Sequence, residues 1–172
     1  MSPGARWFPY SVRTNGMSGE TGSERIRELL SAGELGQVPP DGGLARRMLA
    51  DAGRHLATAA AAEPAGDLPG AYQLAYDALR KSAASLLEAQ GLRATSRGGR
   101  IAVQDAVIAQ FGSSIRALRS FSRLRRARNS FQYPSTETPG PSGDDVKDAI
   151  RAAREVNHAA GKILESGILP PW

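Results

Sequence analysis

The stretch Ala71–Gly91, "AYQLAYDALRKSAASLLEAQG", decides the fold class. Tyr72, Tyr76, Leu79, Ala83, Leu86 and Leu87 recur at helical spacing, which gathers them on one side of a helix. Gly91 stands at the position where helices commonly stop in a left-handed residue. Working outward, the same period returns. Upstream, Leu44, Met48, Leu49, Ala52, Leu56, Ala59 and Ala60 predict a helix over Gly43–Ala62, ended by "EPAGDLPG". Ser23–Ala32 reads as a short helix with Ser23 as N-cap and Ile26, Leu29 and Leu30 as its apolar edge. Downstream, Val103, Val107, Ile108 and Phe111 predict a helix over Ile101–Phe111, and Ser114–Phe131 is helical again. After "YPSTETPGPSG", Asp144 or Asp145 caps a last helix to about Ser166, carrying Val146, Ile150, Ala153, Val156, Ala160 and Leu164. No strand-like alternation and no internal repeat is visible. The expectation is all-α: an up-and-down bundle of four to five core helices with a short extra helix in front.

In these terms residues 1–22 are a disordered, Gly/Ser/Thr-rich tail, 23–40 a short helix and linker, 41–166 the bundle, and 167–172 a tail that folds back. Trp7, Phe8 and Tyr10 give the first tail a docking peptide as its alternative reading, and Met17 offers a second start of translation besides Met1.

Composition narrows function. The 172 residues contain no cysteine, which excludes thiol catalysis, disulfides and thiolate metal sites. Two histidines, His55 and His158, speak against a histidine metal site, so neither metal nor cofactor is expected. No apolar run reaches bilayer length and no signal-peptide pattern stands out, so the expected location is the cytoplasm. "GLRATSRGGR" lacks the spacing of a phosphate loop. The net charge of +5 is uneven: Arg93–Arg128 holds nine arginines against one acid, Asp105, whereas Ser135–Trp172 holds six acids against four Lys/Arg. A cationic zone of this kind suits a nucleic-acid backbone, or serves simply as a solubilising surface.

The zone centres on "SRLRRARNSFQYPS", Ser122–Ser135. At about 100° per residue, Arg116, Arg119, Arg123 and Arg126 fall on one stripe about 80° wide, and Leu118, Phe121, Leu124 and Phe131 on an arc about 120° away. Arg128 falls near the middle of the apolar arc and Arg125 at its edge, unless the helix bends at Ser120 or Ser122. A guanidinium is rarely buried without partners. Three arrangements satisfy Arg128: a carboxylate on another helix, Asp77 or Asp105; a subunit seam; or a cleft that meets a phosphate. Pro134 forces Tyr133 to the helix end. Arginines near a helix C-terminus are also favoured by the helix dipole alone.

This pattern resembles the HEPN superfamily of small all-α domains, many of them RNases of toxin–antitoxin, CRISPR and phage-defence systems. "RNSFQY" aligns Arg128 with the family's Arg and Asn129 with its polar neighbour, while Tyr133 stands where active members carry His. The resemblance spans about Leu44 to Leu164 and is nearest to an actinobacterial branch with "RRxRN…YP" ends. It implies a homodimer whose two motifs share a cleft, and RNA cleavage without metal by attack of the 2′-hydroxyl on the adjacent phosphate. Arg128, Asn129 and Tyr133 would form the site, with Arg116, Arg119, Arg123, Arg125 and Arg126 tracking the RNA. Tyrosine, with an ordinary pKa of about 10, is a poor base at neutral pH. The expectation is therefore an RNA-binding protein with weak or altered endoribonuclease activity. The alternative is a non-catalytic dimeric interaction or regulatory module, antitoxin-like or the partner in a stress cassette; a nucleotidyltransferase-type antitoxin encoded nearby is the expected partner protein and would favour the toxin–antitoxin reading. A helix-turn-helix DNA binder lacks its turn, and a membrane-surface helix is incompatible with the arginines on the apolar face.

Overall fold

The computed structural model describes residues 16–172, so Trp7, Phe8, Tyr10 and the start at Met1 lie outside the described residues. Among the described residues six α-helices form: α1 Gly16–Ser31, α2 Gly42–Ala62, α3 Leu68–Gln90, α4 Gly99–Phe111, α5 Phe121–Gln132 and α6 Gly143–Ser166. The expected all-α bundle with a helix in front is what forms.

Local chemistry sets most of the boundaries. Asp41 caps α2 by accepting from the Leu44 amide at 2.8 Å, and Asp67 caps α3 by accepting from the Gly70 amide at 2.9 Å. Gly91 ends α3 at φ 78°, where a side chain would also strike the Val38 carbonyl at 2.4 Å. The cap of α6 is Ser142 and not an aspartate: Ser142 Oγ accepts from the Asp145 amide, and Asp145 reaches back to the Ser142 amide at 2.9 Å. The Ser142 hydroxyl, which also donates to the Asp145 carboxylate at 2.7 Å, and after it the Ser142 amide hold the Asp145 carboxyl below its ordinary pKa.

Three features depart from the expected pattern. Helix α1 begins at Gly16, so residues 16–22 are not part of a tail. Gly22 is buried, and a side chain there would meet the Ala109 carbonyl at 2.8 Å, so packing on α4 extends α1 beyond what local propensity suggests. Two three-residue strands also exist. Leu35–Gln37 (β1) pairs antiparallel with Leu92–Ala94 (β2), Leu35 opposite Ala94. Finally, the segment from Ser114 to Phe131 is not one helix. Arg116–Ser120 forms a 3₁₀ turn and α5 starts at Phe121, a break at the serine where a bend was anticipated.

Helix α3 is the axis of the bundle and packs against α2, α4, α5 and α6. Ala71, Tyr72, Ala75, Tyr76, Ala78, Leu79, Ala83, Leu86 and Leu87 are all buried. Helices α2 and α6 close one region of the core with small residues, including Ala52 and Ala59 on α2 and Ala149, Ala153 and Ala160 on α6. The final segment returns to the body, where the Trp172 amide donates to the Gln90 carbonyl at 2.9 Å.

Candidate nucleic-acid interface

Helix α5 and the 3₁₀ turn before it present their arginines at two depths. Arg116, Arg119, Arg123 and Arg126 are exposed, and the 3₁₀ turn leaves all four in solvent although it interrupts the helical wheel. Arg125 and Arg128 are half-buried, as their place on the apolar side requires. The apolar side itself is anchored on α3. Phe131 meets Tyr72 edge-on at 5.0 Å between ring centres, Phe121 meets Tyr76 at 6.1 Å, and the Tyr72 hydroxyl donates to the Leu124 carbonyl at 3.3 Å. Burial pushes the Tyr72 phenol up to about 12.

Arg128 pairs with neither carboxylate proposed from sequence. Asp77 faces Arg80 at 3.4 Å and Asp105 holds Arg25 at 2.7 Å. Arg128 instead donates Nε–H to Gln73 Oε1 on α3 at 2.7 Å, and Nη1 to Asn129 Oδ1 at 3.4 Å. Its guanidinium carbon lies 5.9 Å from the centre of the Tyr76 ring, within cation–π range. Arg125 repeats the arrangement with α4, donating Nε–H to Gln104 Oε1 at 3.1 Å.

Beneath these groups Tyr76 is buried, and its hydroxyl has no hydrogen-bond partner among the described residues. Burial raises its phenol pKa, and the positive charges of Arg100, Arg80, Arg125 and Arg128 partly oppose that rise. Beside it an open groove runs between the start of α4 and α5, lined by Gly98, Gly99, Arg100, Ile101, Arg125 and Asn129. Gly98 sits so close to the Glu34 carbonyl that no side chain fits, and Gly99 takes φ 52°.

The structure therefore brings Arg125, Arg128 and Asn129 together and leaves Tyr133 apart. Tyr133 caps α5 at φ −128°, is 80% exposed, and makes no side-chain hydrogen bond among the described residues. Neither histidine is at the site. His158 is exposed on α6; His55 on α2 is half-buried with Nε2 3.5 Å from Lys81 Nζ. Gln73, Tyr76, Arg100 and Gln104 belong to the site and were not expected. Little in the sequence signals them, since α4 also carries Arg100, Asp105 and Gln110 and Gln104 does not stand out among them.

Among the described residues, none of the eight arginines at 97, 100, 116, 119, 123, 125, 126 and 128 forms an ion pair; Arg93 alone of this zone does, with Glu88. Also among the described residues, no helix is long and apolar enough to cross a membrane, and no group of three or more metal-ligating side chains occurs.

Comparison with known proteins bears on the bundle as a whole. The family model described as HEPN domain matches residues 45–163. No curated protein and no solved structure matches the chain.

Proposed function

The chain belongs to the HEPN domain family, and from that premise we propose that the α5 face binds single-stranded RNA and, in a two-fold dimer, cleaves it weakly without metal. The observation that carries this reading is the run of eight arginines from Arg97 to Arg128, none of which forms an ion pair among the described residues. Eight guanidiniums left unneutralised in one region repel each other, which lowers stability and calls for a polyanion. The exposed four suit the RNA backbone, and Arg128 with Asn129 suits the phosphate under attack. In the cleavage step the 2′-oxygen bonds to phosphorus and the bond to the 5′-oxygen breaks. The attacking hydroxyl's proton leaves to a base, and a proton returns to the departing 5′-oxygen. A guanidinium beside the phosphate stabilises the charge that develops on it. With Tyr133 in place of the family's His, no residue at the site is a base poised near neutral pH, so water must carry the proton and the rate is low.

Mixed-sequence RNA incubated with the purified chain and excess chelator tests the reading. Cleavage that persists in chelator and falls about 100-fold in Arg128→Ala is expected. Absence of cleavage under all conditions removes the enzyme reading; absence of RNA binding as well removes the whole.

A second reading is favoured by the 80% exposure of Tyr133. A phenol ring left in solvent at the end of α5 suits a protein seam, and here Arg128, Asn129 and Tyr133 would hold a non-catalytic dimer or a nucleotidyltransferase-type partner encoded nearby. Under that reading Tyr133→Ala lowers dimer affinity in sedimentation experiments and leaves RNA binding unchanged. We infer kinship with the actinobacterial branch of the family from the "RRARN" and "YP" residues of Arg125–Asn129 and Tyr133–Pro134; with RNA as the target, the cytoplasm is the location that fits this reading.

A further inference from the structure

We propose that Gln73 and Gln104 are positioning residues that hold Arg128 and Arg125 without a neutralising carboxylate, as a two-guanidinium clamp for one phosphate of the RNA chain. The inference rests on the RNA reading above for its ligand.

Both arginines make the same choice. Each gives its Nε–H to the side-chain oxygen of a glutamine on a neighbouring helix, Gln73 on α3 at 2.7 Å and Gln104 on α4 at 3.1 Å. A guanidinium has five N–H donors in a fixed plane. Fixing Nε sets the plane, and among the described residues the only terminal amine of the pair with a hydrogen-bond partner is Arg128 Nη1, which donates to Asn129 Oδ1. The acceptor in each case is a neutral amide. A carboxylate at the same place would bind the guanidinium more strongly and cancel its charge, and an incoming phosphate would then meet a neutral pair.

The acids that could have done so are engaged elsewhere. Asp77, one turn after Gln73 on α3, faces Arg80, and Asp105, next to Gln104 on α4, holds Arg25. Gln104 is only 6% exposed, so its amide is built into the protein and not a passing surface contact. A buried amide without a function at the bundle's edge would be disfavoured against an apolar residue there. The Tyr76 ring beneath Arg128 adds a flat electron-rich surface that holds the guanidinium without neutralising it.

The groove in front has the mixed character of a nucleotide. Arg100, Arg125 and Asn129 supply donors along it, and Ile101, 50% exposed, supplies an apolar wall against which a base or sugar can rest. Asn129 accepts from Arg128 with Oδ1, which leaves its amide hydrogens for the ligand.

The experiment uses the full chain and two probes, a mixed-sequence 12-nucleotide RNA and the dinucleotide UpU, whose single phosphodiester is the smallest ligand for the clamp. Gln73→Glu and Gln104→Glu preserve size and the hold on each arginine and remove only the charge that the clamp offers. Each is expected to weaken 12-mer binding about tenfold or more, while the melting temperature stays within about 2 °C of the parent or rises. Gln73→Ala keeps the charge and loses the hold, so its loss is smaller than that of Gln73→Glu. The Arg125 and Arg128 Nε–Hε NMR signals are expected to move on adding UpU in the parent and to stay still in the two Glu variants. Glu variants that bind the 12-mer as tightly as the parent, or parent signals unmoved by UpU, overturn the clamp. A parent that binds the 12-mer no more tightly than its Glu variants do overturns the clamp and leaves the RNA reading standing, whereas a parent that binds neither the 12-mer nor UpU overturns the RNA reading and the clamp with it.

Discussion

Helix α3 meets α6 and α5 by opposite means. Towards α6 the chain uses small residues: Ala149, Ala153 and Ala160 are fully buried, and Asn157 ties the seam by donating to Ser82 Oγ at 3.0 Å and to the Leu49 carbonyl at 3.1 Å. Towards α5 it uses large aromatic rings with arginines at their margin, Tyr72 on Phe131 and Tyr76 on Phe121 with Arg128 above. Small residues let backbones approach and leave no room for anything else. Aromatic rings hold a helix at a distance and create margins where polar groups can stand half in water. One seam is closed by packing and a buried polar tie. The other keeps charge where a ligand can reach it.

That contrast can be broken on either side. The largest effect is expected from Phe121→Ala, which removes a fully buried ring that packs α5 edge-on against Tyr76; about 3–5 kcal/mol of stability should disappear in denaturant unfolding, and RNA binding with it. Next comes Ala153→Leu, which inserts a side chain where the α6 seam has no space; a loss of about 1–3 kcal/mol is expected, with the RNA affinity of the folded protein unchanged. Alkaline pH sharpens the comparison. The Tyr72 phenol has a folded pKa raised to about 12 against 10.0 ordinarily, so the stability it lends is complete below pH 10 and declines as pH rises from there towards 12. Unfolding midpoints followed over that window should fall more steeply for the parent than for Tyr72→Phe. The smallest effect is expected from Tyr133→Ala, within about 0.5 kcal/mol, because its ring is exposed and bonded to nothing among the described residues.

The helical body was legible because burial imposes a period. Tyr72, Tyr76, Leu79, Ala83, Leu86 and Leu87 are all buried as their spacing predicts. Arg125 and Arg128 were legible for the converse reason, as charges on the wrong face. What escaped was set by distant partners. Nothing near "LGQ" or "LRA" announces a strand, since three residues are too few for alternation and each strand exists only through the other. Residues 16–22 join α1 because α4 accepts Gly22, which a one-dimensional pattern does not show. The break at Ser120 moved Arg116 and Arg119 off the wheel on which they were counted. Gln73 and Gln104 escaped because a glutamine acquires meaning only from the arginine opposite it.

The small ribbon of β1 and β2 has a kinetic meaning. Leu35 and Ala94 lie 59 positions apart, and between them α2 and α3 form a helical hairpin that can assemble from neighbours in sequence. Closing a loop of that length before the hairpin exists is entropically unfavourable. The ribbon is therefore expected to zip late, after α2 and α3 have met, and its amide protons should become protected from exchange in step with the docking of α1 and α4, as a clasp fastened once the garment is on.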